Sequence, residues 1–393
     1  MENKELETKV LFSGKGKEYF GIWIVNILLS VITLGIYSAW AKVRNKRYFY
    51  GNTFIGSDSF EYHGKPMQIL KGRIIALICV VAWGVSNQFA PQVALVLLLV
   101  FFALLPLLPL LSRSNARFDS AMTSFRNVHF SFHGTVSGAY WAILGRGLVV
   151  GVGVFTAIMA IIFTMQMNMI SGGIAILISI PSYVYLQSWL LAGIANYFSN
   201  GYRYGDRQFK ADYQDGFYFK VYLTSMIAWL VVSIVAVLAL FSAVGFNMIS
   251  NPESLSEIAN NGSLTSMMVT YYFAFIVMSI AIAAYIQVKI RNYTFSELVL
   301  EGKENEADST LSFASTLTIK NYMFLVLTNF LLQLITLGLA RPWVMVRTMN
   351  YLSENTYVQG NLDLLVANDQ PSDVESAISD EIAQAFNVDL GIG

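Results

Sequence analysis

Residues 26–44 read NILLSVITLGIYSAWAKVR, and residues 329–347, near the other end of the chain, read NFLLQLITLGLARPWVMVR. Both copies interrupt a long apolar run with the same four residues, Ile-Thr-Leu-Gly. A glycine beside a hydroxyl residue is typical of a point where a helix ends and the chain turns. The sequence therefore predicts, in each copy, a helix that turns back.

The repeat extends beyond this stretch. A shift of 303 positions superposes identical residues on Lys17, Tyr19, Asn26, Leu28, Leu29, Ile32, Thr33, Leu34, Gly35, Trp40, Val43, Arg44, Tyr48, Asn52 and Thr53. A shorter unit, aromatic-x-Gly before an apolar segment, recurs at 12–14, 62–64 and 132–134, with degraded copies at 211–213 and 313–315. Such repetition indicates supersecondary units that complete one another's burial.

The connections after the apolar segments are rich in aromatic, β-prone residues. One of them predicts a strand over 47–55, a polar turn over 56–59 and a second strand over 60–64. The repeat gives three such internal hairpins and two single strands, one before the first helix and one after the last. We expect these two strands to pair and close a β-rich layer, which leaves no free strand edge.

The composition is that of a membrane protein. Of 393 residues, 55% are hydrophobic and 13% are charged, against about 25% charged in an average soluble domain. The net charge is zero, so no basic field recruits nucleic acid. The single cysteine, Cys79, excludes an intrachain disulfide and a multi-cysteine metal site.

Eight apolar stretches approach the roughly 20 helical residues that cross a bilayer. They cover about 19–41, 73–90, 92–111, 147–167, 173–195, 221–246, 267–288 and 321–340. The longer connections rich in lysine and arginine are placed in the cytoplasm by the positive-inside rule. The fold class is an α-helical multi-pass membrane protein with internal repeats, six to eight transmembrane helices and short cytoplasmic β-hairpins. Prolines within the stretches, such as Pro106 and Pro181, predict bends rather than breaks.

Two topologies remain open for the ends. If the first and last stretches were full spans, basic residues such as Lys4, Lys9, Arg341 and Arg347 would lie outside, against the positive-inside rule. The first topology has six spans flanked by two re-entrant or interfacial helices, with both termini cytoplasmic. The alternative has eight ordinary spans and external termini.

The chain divides into three parts by composition. Residues 1–18 form a cytoplasmic N-terminal strand, 19–365 the pseudo-repeated membrane domain with basic β-hairpin loops, and 366–393 an acidic C-terminal tail. Ser372 can cap a short tail helix whose apolar residues share one face. We expect this tail either to dock on the basic hairpin layer or to bind a separate partner.

The sequence from about residue 10 to 365 resembles the YjgN family of bacterial inner-membrane proteins. The residues that carry the likeness are Phe12-x-Gly14, 33–44, 47–53 and Phe60-x-Tyr62-His63-Gly64. The resemblance implies a multi-pass protein of the bacterial inner membrane, and the family has no established activity. The acidic tail lies outside the shared pattern.

Catalytic fingerprints are absent: the sequence holds no Gly-x-Ser-x-Gly elbow, Walker loop, His-Glu-x-x-His or dinucleotide motif. We expect no enzymatic activity and no cofactor. His63 and His133 share one position of the repeat, and Asp212 occupies it in the third copy. These three residues are the only metal-ligand candidates, and the competing interpretation is that a polar residue before a turn is ordinary hairpin chemistry.

Polar residues inside the apolar stretches are few. Ion-coupled transporters commonly place charged residues at membrane depth, and the central parts of these stretches have none. A polar vestibule is one hypothesis for Asn26, Thr33, Gly35, Gln187, Asn329, Thr336 and Gly338. The alternative is that the amides join neighbouring helices.

Aromatic and cationic residues follow both Thr-Leu-Gly turns. Trp40, Lys42, Arg44, Lys46, Arg47, Trp343 and Arg347 are candidates for contact with lipid headgroups. The other interpretation is an aromatic and cationic belt without specific recognition.

Two functions follow from these patterns. The first is a membrane protein that binds or passes a small neutral or amphipathic solute, or a lipid, between its repeated helices. The second is a scaffold that does not transport and binds anionic lipid or a partner protein through its basic layer. The bilayer is the expected partner in both.

Overall fold

The computed structural model describes residues 7–89, 91–240, 263–302, 310–365 and 367–369. Ten short strands within these ranges form a closed barrel. The strands are β1 (Glu7–Phe12), β2 (Thr53–Ile55), β3 (Asp58–Tyr62), β4 (Thr123–Phe125), β5 (Val128–Phe132), β6 (Tyr202–Tyr204), β7 (Arg207–Lys210), β8 (Val299–Leu300), β9 (Leu311–Ser315) and β10 (Thr356–Gln359).

Every neighbouring pair of strands in the barrel is antiparallel and follows chain order. Closure comes from β1, which pairs with β2 on one side and with β10 on the other, for example Thr8 with Val358. The predicted pairing of the two terminal strands is therefore confirmed. Tight two-residue turns set the register, as at Arg126 and Asn127, whose positive φ angles of 50° and 61° match the twist of a hairpin.

The barrel is filled rather than hollow. Alternate side chains point inward and build one apolar core from Val10, Ile55, Phe60, Phe125, Val128, Phe130, Tyr204, Phe209, Leu300, Leu311, Phe313 and Val358. The hydroxyl of Tyr204 donates to the Phe125 carbonyl at 2.9 Å, so this buried polar group is satisfied. Burial raises the pKa of Tyr204 to about 12.

Helices connect the strands. They are α1 (Gly16–Ile32), α2 (Ser38–Gly51), α3 (Pro66–Phe89), α4 (Pro91–Ala103), α5 (Leu108–Ala121), α6 (Val136–Met167), α7 (Met169–Gly201), α8 (Asp215–Leu240), α9 (Ser263–Ser296), α10 (Ile319–Ile335) and α11 (Arg341–Glu354). Each packs mainly against its chain neighbours, and α1 packs against α11. The helices thus follow the order of the strands around the barrel.

Four helical segments of the described chain are long and apolar enough to cross a membrane: Val136–Met167, Met169–Gly201, Asp215–Leu238 and Val269–Ser296. Only 6–11% of the most apolar part of each is buried. The high helical content agrees with the predicted fold class, and the barrel adds a fully closed sheet to it.

Three local predictions are wrong. Four internal strand hairpins, β2–β3, β4–β5, β6–β7 and β8–β9, are present where the repeat predicted three. Residues 47–51 belong to α2 rather than to a strand, because Tyr48 stacks on Tyr19 of α1, Phe49 meets the same ring edge-on, and tertiary packing overrides their β propensity. The stretch 92–111 is broken, since α4 ends at Ala103 and a 3₁₀ turn at Leu105–Leu107 precedes α5. Pro106 lies in that turn, whereas Pro181 stays inside α7 as predicted.

Both Thr-Leu-Gly turns are present. α1 ends at Ile32, Leu34 and Gly35 have φ angles of +50° and +90°, and α2 then runs back along α1. The amide of Gly35 donates to the Ser30 carbonyl at 2.7 Å, which is the 6→1 bond of a Schellman motif. Leu337 and Gly338 repeat this geometry between α10 and α11, with φ angles of +49° and +85°. We call 16–51 the first hairpin and 319–354 the last hairpin.

Candidate functional site

A buried asparagine joins the two helices of each hairpin. In the first hairpin, Asn26 Nδ2 donates to Asn45 Oδ1 at 3.1 Å, and Arg44 Nη1 donates to Asn26 Oδ1 at 3.3 Å. In the last hairpin, Asn329 contacts Thr348 and Arg347 at the same two distances. The amides therefore stabilise each hairpin, which agrees with the interpretation that they join neighbouring helices.

The threonines and glycines of the turns form the hairpin tips. Thr33 Oγ1 donates to the Leu29 carbonyl and accepts the amide of Tyr37. Thr336 makes the equivalent bonds with Leu332 and Ala340. Gly35 and Gly338 supply the left-handed backbone beside them.

The tips themselves are apolar and exposed. Leu34 is 85% exposed and Leu337 is 92% exposed, and Ile32 and Ile335 are exposed beside them. An exposed apolar cluster of this kind is typical of a surface that contacts a membrane or another apolar partner.

Gln187 lies apart from the two asparagines. It is a half-buried residue of α7, which packs against α6 and α8. The first hairpin instead packs through α1 against α11 and through α2 against α3. The structure thus brings Asn26 and Asn329 into equivalent hairpins and does not group Gln187 with them.

An open groove of about 360 Å³ follows the first hairpin. Its walls are Trp23, Asn26, Ile27, Ser30, Val31, Ala41 and Asn45. A second, larger groove of about 580 Å³ lies at the barrel end of the last hairpin and includes Arg347. A cavity that reaches Asn26 or its repeat equivalent Asn329 is the feature expected for solute binding. The first groove includes Asn26 in its wall.

Several of the candidate headgroup residues have partners within the protein. Lys46 Nζ lies 2.6 Å from Asp119 Oδ1 and over the Tyr62 ring. Arg47 donates to the carbonyls of Tyr62 and Gly64. These two cations tie α2 to the neighbouring strand and helix.

The remaining candidates lie on the returning helices. Trp40 stacks on Tyr37 with ring centroids 6.0 Å apart, and Lys42 is half-buried on the same helix. Trp343 packs against Phe20 at 4.9 Å, so it joins the last hairpin to the first. Arg44 and Arg347 are exposed, although each also donates to its asparagine.

The three metal candidates are not grouped. Among the residues that the structure describes, no set of three histidine, cysteine, aspartate or glutamate side chains is arranged to hold a metal ion. His63, His133 and Asp212 follow β3, β5 and β7, and one intervening strand separates each from the next by about 10 Å of sheet. His63 instead lies 2.7 Å from the Ser124 hydroxyl, and His133 lies 3.1 Å from the Ser131 hydroxyl. Each imidazole therefore contacts a serine of a strand, as expected for a polar residue at the end of a strand hairpin.

A repeated joint between barrel and helices was not predicted in this form. Tyr48 Oη accepts the amide of Lys15 at 2.7 Å and donates to the Lys15 carbonyl at 3.0 Å. Tyr197 donates to Thr135, and Tyr293 accepts the amide of Gln214, at the equivalent joints. In these three joints the tyrosine follows an arginine or an asparagine in the sequence, and its hydroxyl holds the end of one helix to the residues that connect the preceding strand and helix.

Residues 361–365 and 367–369 lie across the end of the barrel at which the strand hairpins turn. Leu362, Leu365 and Ala367 pack against the barrel core. Arg126 donates to the Leu362 carbonyl at 2.7 Å, and His129 Nδ1 lies 3.0 Å from Asp369 Oδ2. The described part of the acidic tail therefore docks on the hairpin layer, whereas the predicted tail helix near Ser372 lies outside the described residues.

Comparison with known proteins gives a consistent result. The family described as "Bacterial protein of unknown function (DUF898)" matches residues 7–385. The "Inner membrane protein YjgN" of Salmonella typhimurium is 25% identical over 378 residues, which cover 92% of this chain and 91% of that protein. The proteins of the same name from Escherichia coli O157:H7 and K12 are each 26% identical and cover 92% of both chains.

No solved structure matches the chain. The YjgN resemblance expected from the sequence is confirmed, and the relatives are named as proteins of the inner membrane. Since the family match spans nearly the whole length, the chain belongs to the DUF898 family of bacterial proteins.

Proposed function

We propose that the protein is a multi-pass inner-membrane protein that binds or passes a lipid or another small amphipathic solute among its apolar helices. Both termini and the barrel lie in the cytoplasm, and the hairpin tips re-enter the membrane from that side. No enzymatic step and no cofactor is part of this function.

The observation that carries the proposal is the contrast between helices and barrel. Four helices are long and apolar enough to cross a membrane, yet only 6–11% of their most apolar segments is buried. Their exposed apolar faces are therefore available to lipid. Acyl chains suit such walls because an apolar surface gains free energy when it leaves water.

The barrel, in contrast, does not suit an aqueous pathway. Its interior is an apolar core of aliphatic and aromatic side chains, and Leu362, Leu365 and Ala367 pack against that core. A water-filled pore needs a polar lining. Entry of solute from the side, within the membrane, fits this arrangement better than passage through the barrel.

The orientation rests on charge and on the sheet. β1 and β10 pair directly within the barrel. The helices of the first and last hairpins therefore start on the same side of the membrane as the strand hairpins that connect the other helices. The connections rich in lysine and arginine belong in the cytoplasm by the positive-inside rule. A topology of six spans and two re-entrant hairpins satisfies both requirements, with four spans in the long apolar helices and the other two in α3 and the shorter α4.

The second candidate function is a scaffold without transport. It is favoured by one observation, since the hairpin turns already hold an acidic segment through His129 and Arg126. An acidic segment of a partner protein can compete for the same surface.

The test has two parts. A reporter active on only one side of the membrane, fused to either terminus in intact cells, is expected to report the cytoplasm, and periplasmic ends would contradict the orientation. The full chain, purified in mild detergent, is then examined by native mass spectrometry for bound phospholipid. Bound lipid that exchanges with added lipid supports the function, whereas a lipid-free protein that retains its fold supports the scaffold.

A further inference from the structure

The two hairpins differ at the joint with the barrel. In the first hairpin, the hydroxyl of Tyr48 makes two hydrogen bonds with the backbone of Lys15. Tyr351 is the repeat equivalent of Tyr48, and Thr318 is the equivalent of Lys15. The hydroxyl of Tyr351 is buried and has no hydrogen-bond partner among the described residues.

A groove of about 580 Å³ lies beside this unpaired tyrosine. It is lined by Lys320, Asn321, Met323, Phe324, Leu325, Arg347, Asn350, Tyr351 and Glu354. Lys320 and Arg347 are exposed cations, and Phe324 is 61% exposed one turn beyond Lys320. The groove therefore has a charged end near the barrel and an apolar wall along α10.

The charges around this groove differ from those at the equivalent positions of the first hairpin. Lys17 is kept as Lys320 and Arg44 as Arg347, whereas Glu18 is replaced by Asn321 and Arg47 by Asn350. In the first hairpin, Glu18 lies 3.6 Å from Lys15. Loss of this carboxylate removes a negative charge that would repel an anionic ligand beside the cations of the groove.

A single acid lies at the other edge of the groove. Glu354 takes the place of Gly51 and is exposed on the last turn of α11. Arginine and lysine beside a carboxylate offer partners to a ligand that carries both a phosphate and a positively charged nitrogen.

We propose that this groove binds a phospholipid whose headgroup combines a phosphate with an ammonium group, as in phosphatidylethanolamine. Lys320 and Arg347 hold the phosphate, Glu354 holds the ammonium, and the acyl chains run along Met323 and Phe324. A small movement of Tyr351 gives its hydroxyl a phosphate oxygen as partner. The assignment rests on the proposed function, because it names the lipid and places its headgroup.

Matched variants of the two hairpins test the site. Arg347→Gln and Arg44→Gln each remove one bond to a buried asparagine, and Arg44→Gln also removes a bond to the Tyr37 hydroxyl, so Arg44→Gln is expected to lower the unfolding temperature at least as much as Arg347→Gln. The full chain is delipidated and titrated with phosphatidylethanolamine or phosphatidylglycerol, and binding is followed by native mass spectrometry. Arg347→Gln is expected to weaken phosphatidylethanolamine binding about tenfold, as for the loss of one charge-assisted hydrogen bond, and Arg44→Gln less than about twofold.

Two further measurements define the ligand. Glu354→Gln is expected to remove the preference for phosphatidylethanolamine over phosphatidylglycerol. Free phosphoethanolamine is expected to compete only weakly, because it lacks acyl chains. Strong competition by it would instead indicate a site for soluble phosphate esters and would contradict the lipid assignment.

The failures of site and function are distinguishable. If the wild-type chain binds lipid and Arg347→Gln weakens binding no more than Arg44→Gln, the groove is not the headgroup site and the proposed function stands. If Glu354→Gln leaves the preference unchanged, the ammonium assignment is wrong. If the folded wild-type chain binds neither lipid, the site and the proposed function both fail.

Discussion

The first and last hairpins share a turn and an interhelical clamp but differ where they meet the barrel. Both reverse the chain with a left-handed Leu-Gly pair, and both bury an asparagine against an arginine. Only the first closes its joint through a tyrosine, whereas the last leaves that tyrosine unpaired beside a groove. The shared residues therefore shape the hairpin, and the residues that differ are where a ligand site is to be sought.

The largest expected effect comes from the asparagine clamp. Asn26→Ala and Asn329→Ala each remove two hydrogen bonds from a nearly buried position. We expect each to lower the free energy of unfolding by about 2–3 kcal/mol, measured by denaturant titration in detergent. Because the clamps are equivalent, the two losses are expected to match, and a loss confined to one hairpin would show that the clamps are not equivalent.

The turns come next. Gly35 has a φ angle of +90°, and a side chain there is strained although no atom lies within contact distance. Gly35→Ala is expected to cost about 1–2 kcal/mol, and so is Gly338→Ala. The matched control is Gly21→Ala in α1, where the space is also open but the backbone is helical.

The control is expected to change stability in the opposite direction, since alanine favours a helix over glycine by about 1 kcal/mol. Thermal unfolding of the three variants in one detergent measures the difference. If Gly35→Ala and Gly21→Ala stabilised the chain equally, the left-handed turn would not be required.

The structural features that can be predicted from the sequence are those that depend on a short local motif or on an internal repeat. Thr33-Leu34-Gly35 predicts the turn because glycine and a hydroxyl residue terminate a helix by themselves. The pairing of β1 with β10 follows from the single strand that the repeat leaves at each end, although the barrel has four internal strand hairpins where three were expected. Both predictions need no knowledge of how distant side chains pack.

The features missed depend on tertiary contacts. Tyr48 and Phe49 were expected in a strand, but their ring contacts with Tyr19 keep them in α2. Nothing in the sequence indicates that Leu362 and Leu365, just before the acidic tail, pack against the barrel core. His63, His133 and Asp212 share a repeat position, and the spacing between alternate strands keeps equivalent positions apart.

Removal of the tyrosine hydroxyl from each joint is expected to separate the two hairpins by a smaller change in stability. Tyr48→Phe removes both bonds to the Lys15 backbone and is expected to cost about 1 kcal/mol. Tyr351→Phe removes a hydroxyl that has no partner in the described chain, so stability is expected to stay the same or rise slightly. Thermal unfolding of both variants without added lipid measures this difference. Equal destabilisation would mean that the Tyr351 hydroxyl does have a hydrogen-bond partner in the folded protein.

The smallest expected effect concerns pH and separates the barrel from the hairpins. The three histidines all lie outside the two hairpins, and burial, followed by the nearby His129, lowers the pKa of His63 below its usual 6.5. Glu61 and Arg47 are the other charged groups that face this ring. Since the unfolded chain takes up the proton more readily, the contribution of His63 to stability is present above pH 6.5 and is lost as the pH falls through the lower pKa of the folded state.

We expect His63→Asn to reduce the loss of stability on acidification slightly, measured by unfolding at pH 7.5 and 5.5. A variant with the wild-type pH dependence would show that the acid sensitivity arises elsewhere, whereas the hairpin variants Tyr48→Phe and Tyr351→Phe are expected to keep that dependence unchanged.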